Sequence, residues 1–206
     1  MRVYLIGDSI RMNAEPQIRT QLLPGASLVS PPVNCESSHR VVERIEEWAP
    51  ASEGDVVHLN CGLHDIRHNP GETVPVCTLE QYRRNLIVVF DFLAARKATV
   101  IWATSTPFLE QVHNSGKPSR RFLHDLLAYN AVARDLAEQH GFSVNDLYAK
   151  LAGASLGELL LPDGLHFNSV GNRLVGEMVA VAINAALAPN NSFKPNLLRS
   201  TVAVAG

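Results

Sequence analysis

The chain is poor in cysteine: Cys35, Cys61 and Cys77 are the only three in 206 residues. A set this small and odd in number cannot build the disulfide framework of a secreted mini-domain, so the thiols are expected to be reduced and the protein cytoplasmic. An excess of charge of one sign is also lacking, since 18 Lys and Arg stand against 20 Asp and Glu for a net charge of -2. That balance leaves no basic footprint for nucleic acid or for an anionic membrane. No apolar run has the length of a membrane span, and the first one, over residues 1–6, enters Gly7-Asp8 too early to act as a secretory h-region.

Metal-ligand spacing is missing too. His58, His64, His68, Cys35 and Cys61 are suitable ligand types, but they form no Cys-x-x-Cys or His-Glu-x-x-His pattern. These absences predict a protein with no metal and no cofactor, acting on a small, neutral molecule rather than on nucleic acid or a membrane. Hydrophobic residues at 46% and charged residues at 18% suit a packed core, and the length suits one domain.

What the chain does have is an alternation of strand-like and helix-like segments. Residues 1–6 read as a β-prone run ending in Gly7-Asp8-Ser9. Pro16 is expected to prevent a helix running through from Ile10, which leaves a short one over 14–23 with Ile18 and Leu22 inward. Residues 26–29 read as a second strand. The loop Asn34-Cys35-Glu36-Ser37-Ser38 then opens a helix carrying Val41, Val42, Ile45, Trp48 and Ala49 up to Pro50. Residues 55–60 are apolar on both faces, as a buried parallel strand should be. Thr78-Leu79-Glu80-Gln81 has capping-box spacing, and Leu79, Tyr82, Leu86, Val89, Phe90 and Leu93 mark the inner face of the helix behind it.

A fourth strand is expected over 98–103. The polar stretch 105–119, with Pro107, Gly116 and Pro118, is too long for a minimal connection; it either borders a substrate site or is a plain surface loop. Phe122, Leu126, Tyr129, Ala133 and Leu136 define the next helix, closed at Gly141, and 142–147 a short fifth strand. Residues 169–187 form the last helix, with Val170, Leu174, Met178, Val181 and Ala185 expected inward. Residues 1–188 thus form one domain, and 189–206, without a clear period, a tail or an added edge strand.

Such alternation predicts an α/β fold: a flavodoxin-like three-layer sandwich with a five-stranded parallel sheet of order 2-1-3-4-5 and helices on both faces. Ligands in that topology sit beyond the carboxyl ends of the strands, beside strand one. Ser9, the Cys35 loop and the His64 loop all lie at such ends.

A serine hydroxyl is a weak nucleophile until a base takes its proton, and the base needs a third group to fix its tautomer. Asp163-Gly164-Leu165-His166 offers both, because an aspartate with only two residues between it and a histidine can fold back onto one imidazole nitrogen while the other faces a distant serine. Simpler roles compete: Ser9 as a helix cap, His166 at a helix entrance, His64 as a loop residue, Asp65 as the cap of a turn, and Arg11 as a solvated arginine. Gly153-Ala154-Ser155-Leu156-Gly157 also matches a nucleophile elbow, but no adequate strand precedes Gly153.

Gly7-Asp8-Ser9-Ile10 and Asp163-Gly164-Leu165-His166-Phe167, in this order, resemble the first and last blocks of the SGNH (GDSL-type) hydrolase family, over roughly residues 1–188. The resemblance implies a Ser9, His166, Asp163 triad and metal-independent ester hydrolysis through an acyl-enzyme. It also implies oxyanion donors at the backbone N–H of Ser9, at the backbone N–H of Cys35, where the family has glycine, and at the His64 side chain, where Gly62-Leu63-His64-Asp65 replaces the usual Gly-x-Asn-Asp. The middle blocks are similar to those of bacterial enzymes near the carbohydrate O-acetyl esterases, so an acetylated sugar or similar small alcohol ester is the implied substrate. A lipase- or thioesterase-type acylhydrolase, or a non-catalytic glycan-binding protein on this scaffold, remains the alternative.

Overall fold

The five apolar runs become β1 (Arg2–Ile6), β2 (Ser27–Val29), β3 (Val56–Leu59), β4 (Thr99–Ala103) and β5 (Ser143–Asn145), all parallel and ordered β2-β1-β3-β4-β5. The computed structural model describes residues 1–188, so the expected tail lies outside the described residues. All four residues of β3 and the last four of β1 are buried, as central parallel strands covered on both faces require. The crossovers between these parallel strands divide the helices between the two faces. α1 (Ser9–Gln21) and α8 (Ser169–Leu187) pack together on one side, while α2 (Ser38–Trp48), α3 (Leu79–Ala95) and α5 (Leu123–Gln139) form a row on the other. The shorter α4 (Glu110–Gly116), α6 (Leu147–Ala152) and α7 (Leu156–Leu159) lie in the connections around the carboxyl end of the sheet.

Local chemistry explains most boundaries. Thr78 Oγ1 accepts from the Gln81 N–H while the Gln81 side chain accepts from the Thr78 N–H, completing the capping box of α3. Gly141, at φ +71°, follows the end of α5 in a conformation that glycine adopts freely.

Three helices depart from expectation in part. α1 begins at Ser9 and runs through Pro16. The hydrogen bond that proline cannot make is the one to the Met12 carbonyl, and both residues face solvent, so water can take that carbonyl. In α8 the buried face is Gly171, Val175, Gly176, Val179, Ala180, Ile183 and Leu187, whereas Val170 and Val181 are 48% and 65% exposed. The helix is apolar nearly all round, so its period fixes no unique inner face; close approach decides instead. A Cβ on Gly176 would lie 2.7 Å from Gln17 Cβ of α1, and one on Gly171 would lie 2.5 Å from the Leu159 carbonyl oxygen. By length and composition α8 could span a membrane, but its apolar face is packed on α1 and the sheet. Leu79, expected on the inner face of α3, sits at its rim, 36% exposed.

Candidate active site

The turn after β1 is built by close approach. A Cβ on Gly7 would lie 2.7 Å from Arg11 Cβ, so glycine is needed for space rather than for an unusual φ. Asp8 is the N-cap of α1, its Oδ1 accepting from the Ile10 N–H at 2.9 Å. The cap is therefore Asp8, and the Ser9 hydroxyl is left to meet His166 Nε2 at 3.0 Å. Arg11 is not solvated: it is buried, pairs with Glu15 at 2.8 Å and donates to the Val33 carbonyl at 2.7 Å, clamping the first turn to the loop before α2.

The histidine end is held as firmly. Asp163 Oδ1 accepts from the backbone N–H groups of Leu165 and His166, both at 3.0 Å, and Oδ2 accepts from His166 Nδ1 at 2.6 Å. Gly164 (φ +70°) makes this turn possible, since a side chain there would crowd the His113 backbone nitrogen at 3.0 Å. His113 Nδ1 donates to the Asp163 carbonyl at 3.1 Å, which leaves its Nε2 to accept from Arg121 Nη1 at 2.8 Å. Burial pushes the Asp163 carboxyl up, but the His166 bond and the two backbone bonds outweigh it and bring its pKa down to about 2. With that carboxylate on Nδ1–H, the Nε2 facing Ser9 is the unprotonated nitrogen.

The third wall comes from the turn after β3. Gly62 (φ +150°) leaves no room for a side chain, because a Cβ would sit 2.5 Å from Ser105 Oγ. Asp65 is fully buried and structural: its two oxygens accept from the Ser38 N–H at 2.9 and 3.0 Å, and Oδ1 also accepts from the Ser38 hydroxyl at 2.5 Å, tying this turn to the start of α2. Burial raises its pKa to about 6 against those bonds. His64 reaches the cleft beside Ser9. Burial lowers its pKa; Asp8 opposes this, while Arg121 and Arg67 add to it, so the neutral imidazole with a single N–H is favoured.

Cys35 is the correction. Its backbone N–H donates to the Gly7 carbonyl at 3.2 Å, which occupies the donor expected at the oxyanion, and its side chain is fully buried. The same loop puts Asn34 into the cleft instead. Asn34 Oδ1 accepts from the Glu36 N–H at 2.9 Å, which orients its NH2 group as the available donor.

Ser9, His166, His64 and Asn34 line one cleft of about 280 Å³ together with Arg67, Lys117, Ser119 and Arg121. Lys117 and Ser119 come from the polar stretch 105–119, which thus borders the site. Asn34, Arg67, His113 and Arg121 were not singled out from sequence; only the unusual length of that stretch hinted at Lys117 and its neighbours. Ser155 is an exposed cap residue of α7 with no strand before it. Among the described residues no three His, Cys, Asp or Glu side chains gather as a metal site: His58 is buried in β3 against Asn145 at 3.2 Å, and His68 pairs with Asp125 at 3.1 Å. The three cysteines are free and buried.

Comparison with known proteins follows the same lines. The model of the GDSL-like Lipase/Acylhydrolase family matches residues 20–174, a span that includes Asp163 and His166 and begins after Ser9. No curated protein matches by sequence. Among solved structures, the acetyl xylan esterase AlAXEase is similar at TM-score 0.70 and 19% identity, over 89% of this chain and 100% of that one. A lipase/acylhydrolase from Enterococcus faecalis is similar at TM-score 0.68 and 17% identity, over 93% of this chain and 98% of that one. A GDSL-like lipase from Bacteroides thetaiotaomicron gives TM-score 0.64 and 18% identity, over 90% and 89%. At these identities the neighbours speak for the fold, and the family match carries the assignment: the chain belongs to the GDSL-like lipase/acylhydrolase family and is a carboxylic ester hydrolase.

Proposed function

We propose that the protein is a serine esterase that removes a short acyl group, most simply acetyl, from a carbohydrate or similar small alcohol through an acyl-enzyme. The observation that carries this reading is the hydrogen-bonded series Ser9 Oγ, His166 Nε2, His166 Nδ1 and Asp163 Oδ2, at 3.0 and 2.6 Å, at the edge of an open cleft.

In this reading Ser9 Oγ attacks the acyl carbonyl as His166 Nε2 takes its proton, and Asp163 stabilises the imidazolium. The tetrahedral oxyanion is met by the Ser9 N–H, which as the first amide of α1 has no intrahelical acceptor, by the neutral His64 N–H and by the Asn34 amide. His166 then protonates the leaving alcohol, and a water deprotonated by the same nitrogen releases the acid and restores Ser9. A cleft of about 280 Å³ suits a short acyl group better than a lipid chain. The acetyl xylan esterase neighbour agrees with an acetylated sugar. Three free thiols agree with a cytoplasmic setting.

The test is hydrolysis of p-nitrophenyl esters of increasing chain length and of acetylated sugars by the wild type, Ser9→Ala and Ser155→Ala. Activity should be highest on acetyl esters, disappear in Ser9→Ala and persist in Ser155→Ala. Loss of activity in Ser155→Ala alone would overturn the assignment.

A further inference from the structure

Hydrolysis of a neutral ester needs N–H donors at the oxyanion, but it does not need a cluster of cations, and this cleft has one. Arg67, Lys117 and Arg121 line it together with Ser9 and His166. Arg121 is only 5% exposed, and its bonds go to neutral acceptors, the Leu63 carbonyl at 2.6 Å from Nε and His113 Nε2 at 2.8 Å from Nη1. Nη2 has no partner among the described residues. The Arg67 side chain has no hydrogen bond or ion pair among the described residues, and its Nε is buried. Lys117 Nζ stands 3.9 Å from Asp163 Oδ2, an oxygen already engaged by His166.

The opposing charges are few. Among the described residues Asp8 is the one carboxylate lining the cleft, with Oδ1 taken by the Ile10 N–H and Oδ2 buried without a partner. Glu36 is exposed outside it. Three cations therefore face two carboxylates, Asp8 in the lining and Asp163 beside it, an excess of positive charge in a chain that as a whole carries -2. The small neutral ligand expected from overall charge is thus a poor guide to this cleft. Burying an arginine with no carboxylate in direct ion-pair contact is costly, and a ligand that brings an oxyanion offsets the cost while matching the guanidinium fork.

Resting on the esterase reading above, we infer that the substrate is an anionic ester whose alcohol part carries a carboxylate or a phosphate, bound by Arg67, Lys117 and Arg121. The alcohol side is indicated by connectivity. Lys117 and Arg121 belong to the segment around α4 that abuts the Asp163 turn, through Lys117 to Asp163, His113 to the Asp163 carbonyl and the Leu109 N–H to the Gly164 carbonyl at 2.8 Å. That turn carries His166, which hands its proton to the departing alcohol.

The experiment compares kcat/KM within two substrate pairs: an O-acetylated uronic acid against its neutral methyl ester, and an O-acetylated sugar phosphate against the unphosphorylated sugar. At low salt the anionic member of one pair should be preferred by about tenfold or more, and the preference should shrink as salt is raised. Whichever pair responds names the anion. Arg67→Gln and Lys117→Gln should each lower that ratio severalfold; being a ratio, it is not moved by a general loss of folded enzyme. Ratios near one in both pairs, with p-nitrophenyl acetate still hydrolysed, would overturn the anionic subsite and leave the esterase reading intact. Absence of hydrolysis of every ester would instead overturn the esterase reading. The subsite is then decided by calorimetry of the free uronate and sugar phosphate on wild type and Arg67→Gln: binding weakened by the substitution sustains it, and no binding of either overturns it.

Discussion

Replacing Asp163 by asparagine is the perturbation whose outcome the geometry constrains most tightly. Asp163 Oδ1 accepts two backbone N–H groups, from Leu165 and His166, and Oδ2 accepts from His166 Nδ1. An asparagine must keep its oxygen toward the two backbone donors, because an NH2 group there would oppose both. Its NH2 therefore faces His166 Nδ1, which has to become the acceptor, and the ring proton moves to Nε2. A protonated Nε2 cannot take the Ser9 proton across the 3.0 Å contact. The expected loss in kcat is about 10⁴-fold, or about 5 kcal/mol in the barrier, the size seen when a triad aspartate is changed this way. The turn itself should survive, since both backbone bonds remain. The assay is kcat on p-nitrophenyl acetate at neutral pH, with circular dichroism to verify the fold. A loss smaller than about tenfold in a folded variant would refute the reasoning. The same carboxylate has a stability signature: a folded pKa of about 2 lies below the unfolded value of 3.8, so its contribution of about 2 kcal/mol is present above pH 4 and lost as pH falls through 2.

Further perturbations test other parts of the structure. His64→Ala should lower kcat by about a hundred- to a thousandfold with a smaller effect on KM, as loss of an oxyanion donor does, and His64→Asn should retain more activity than the alanine variant, by steady-state kinetics. Gly176→Ala places a methyl 2.7 Å from Gln17 Cβ at the contact of α1 and α8 and should destabilise by about 1–3 kcal/mol, read as a lower urea midpoint. Burial lowers the His58 pKa to about 4, so the unfolded chain takes up its proton first as pH falls from about 6.5 to 4, and stability drops by up to about 3 kcal/mol. Asp65, raised to about 6, acts in the opposite sense over much of that window, holding its proton in the folded state. The His58 term therefore appears as a difference: His58→Gln should gain stability relative to wild type on going from pH 7 to pH 5 in denaturant titrations.

The parts of this molecule legible in its sequence are those set by short-range chemistry. Strands buried on both faces announce themselves as unbroken apolar runs, the α3 capping box lies within four residues, and the Asp163 turn closes within four as well. Less was visible where the deciding atom lies far along the chain. Pro16 is tolerated because the carbonyl it orphans faces water, and the inner face of α8 is chosen by where α1 approaches Gly176 and the Leu159 carbonyl approaches Gly171. The Cys35 amide is engaged by the Gly7 carbonyl, 28 residues earlier in the chain, which no local pattern encodes. Arg121 is a similar case, since its role depends on Leu63, which lies 58 residues earlier in the connection after β3, as well as on nearby His113. Net charge misled for the same reason: a sum over the chain says nothing about which side chains meet in one cleft.

The central claim is that Ser9 is the nucleophile, and covalent capture tests it most directly. Wild-type protein treated with a small fluorophosphonate should gain one adduct by intact mass, located on the peptide carrying Ser9, with parallel loss of esterase activity. Ser9→Ala should gain none. An adduct on Ser155 or any other residue, or inactivation of the wild type with Ser9 unmodified, would contradict the account.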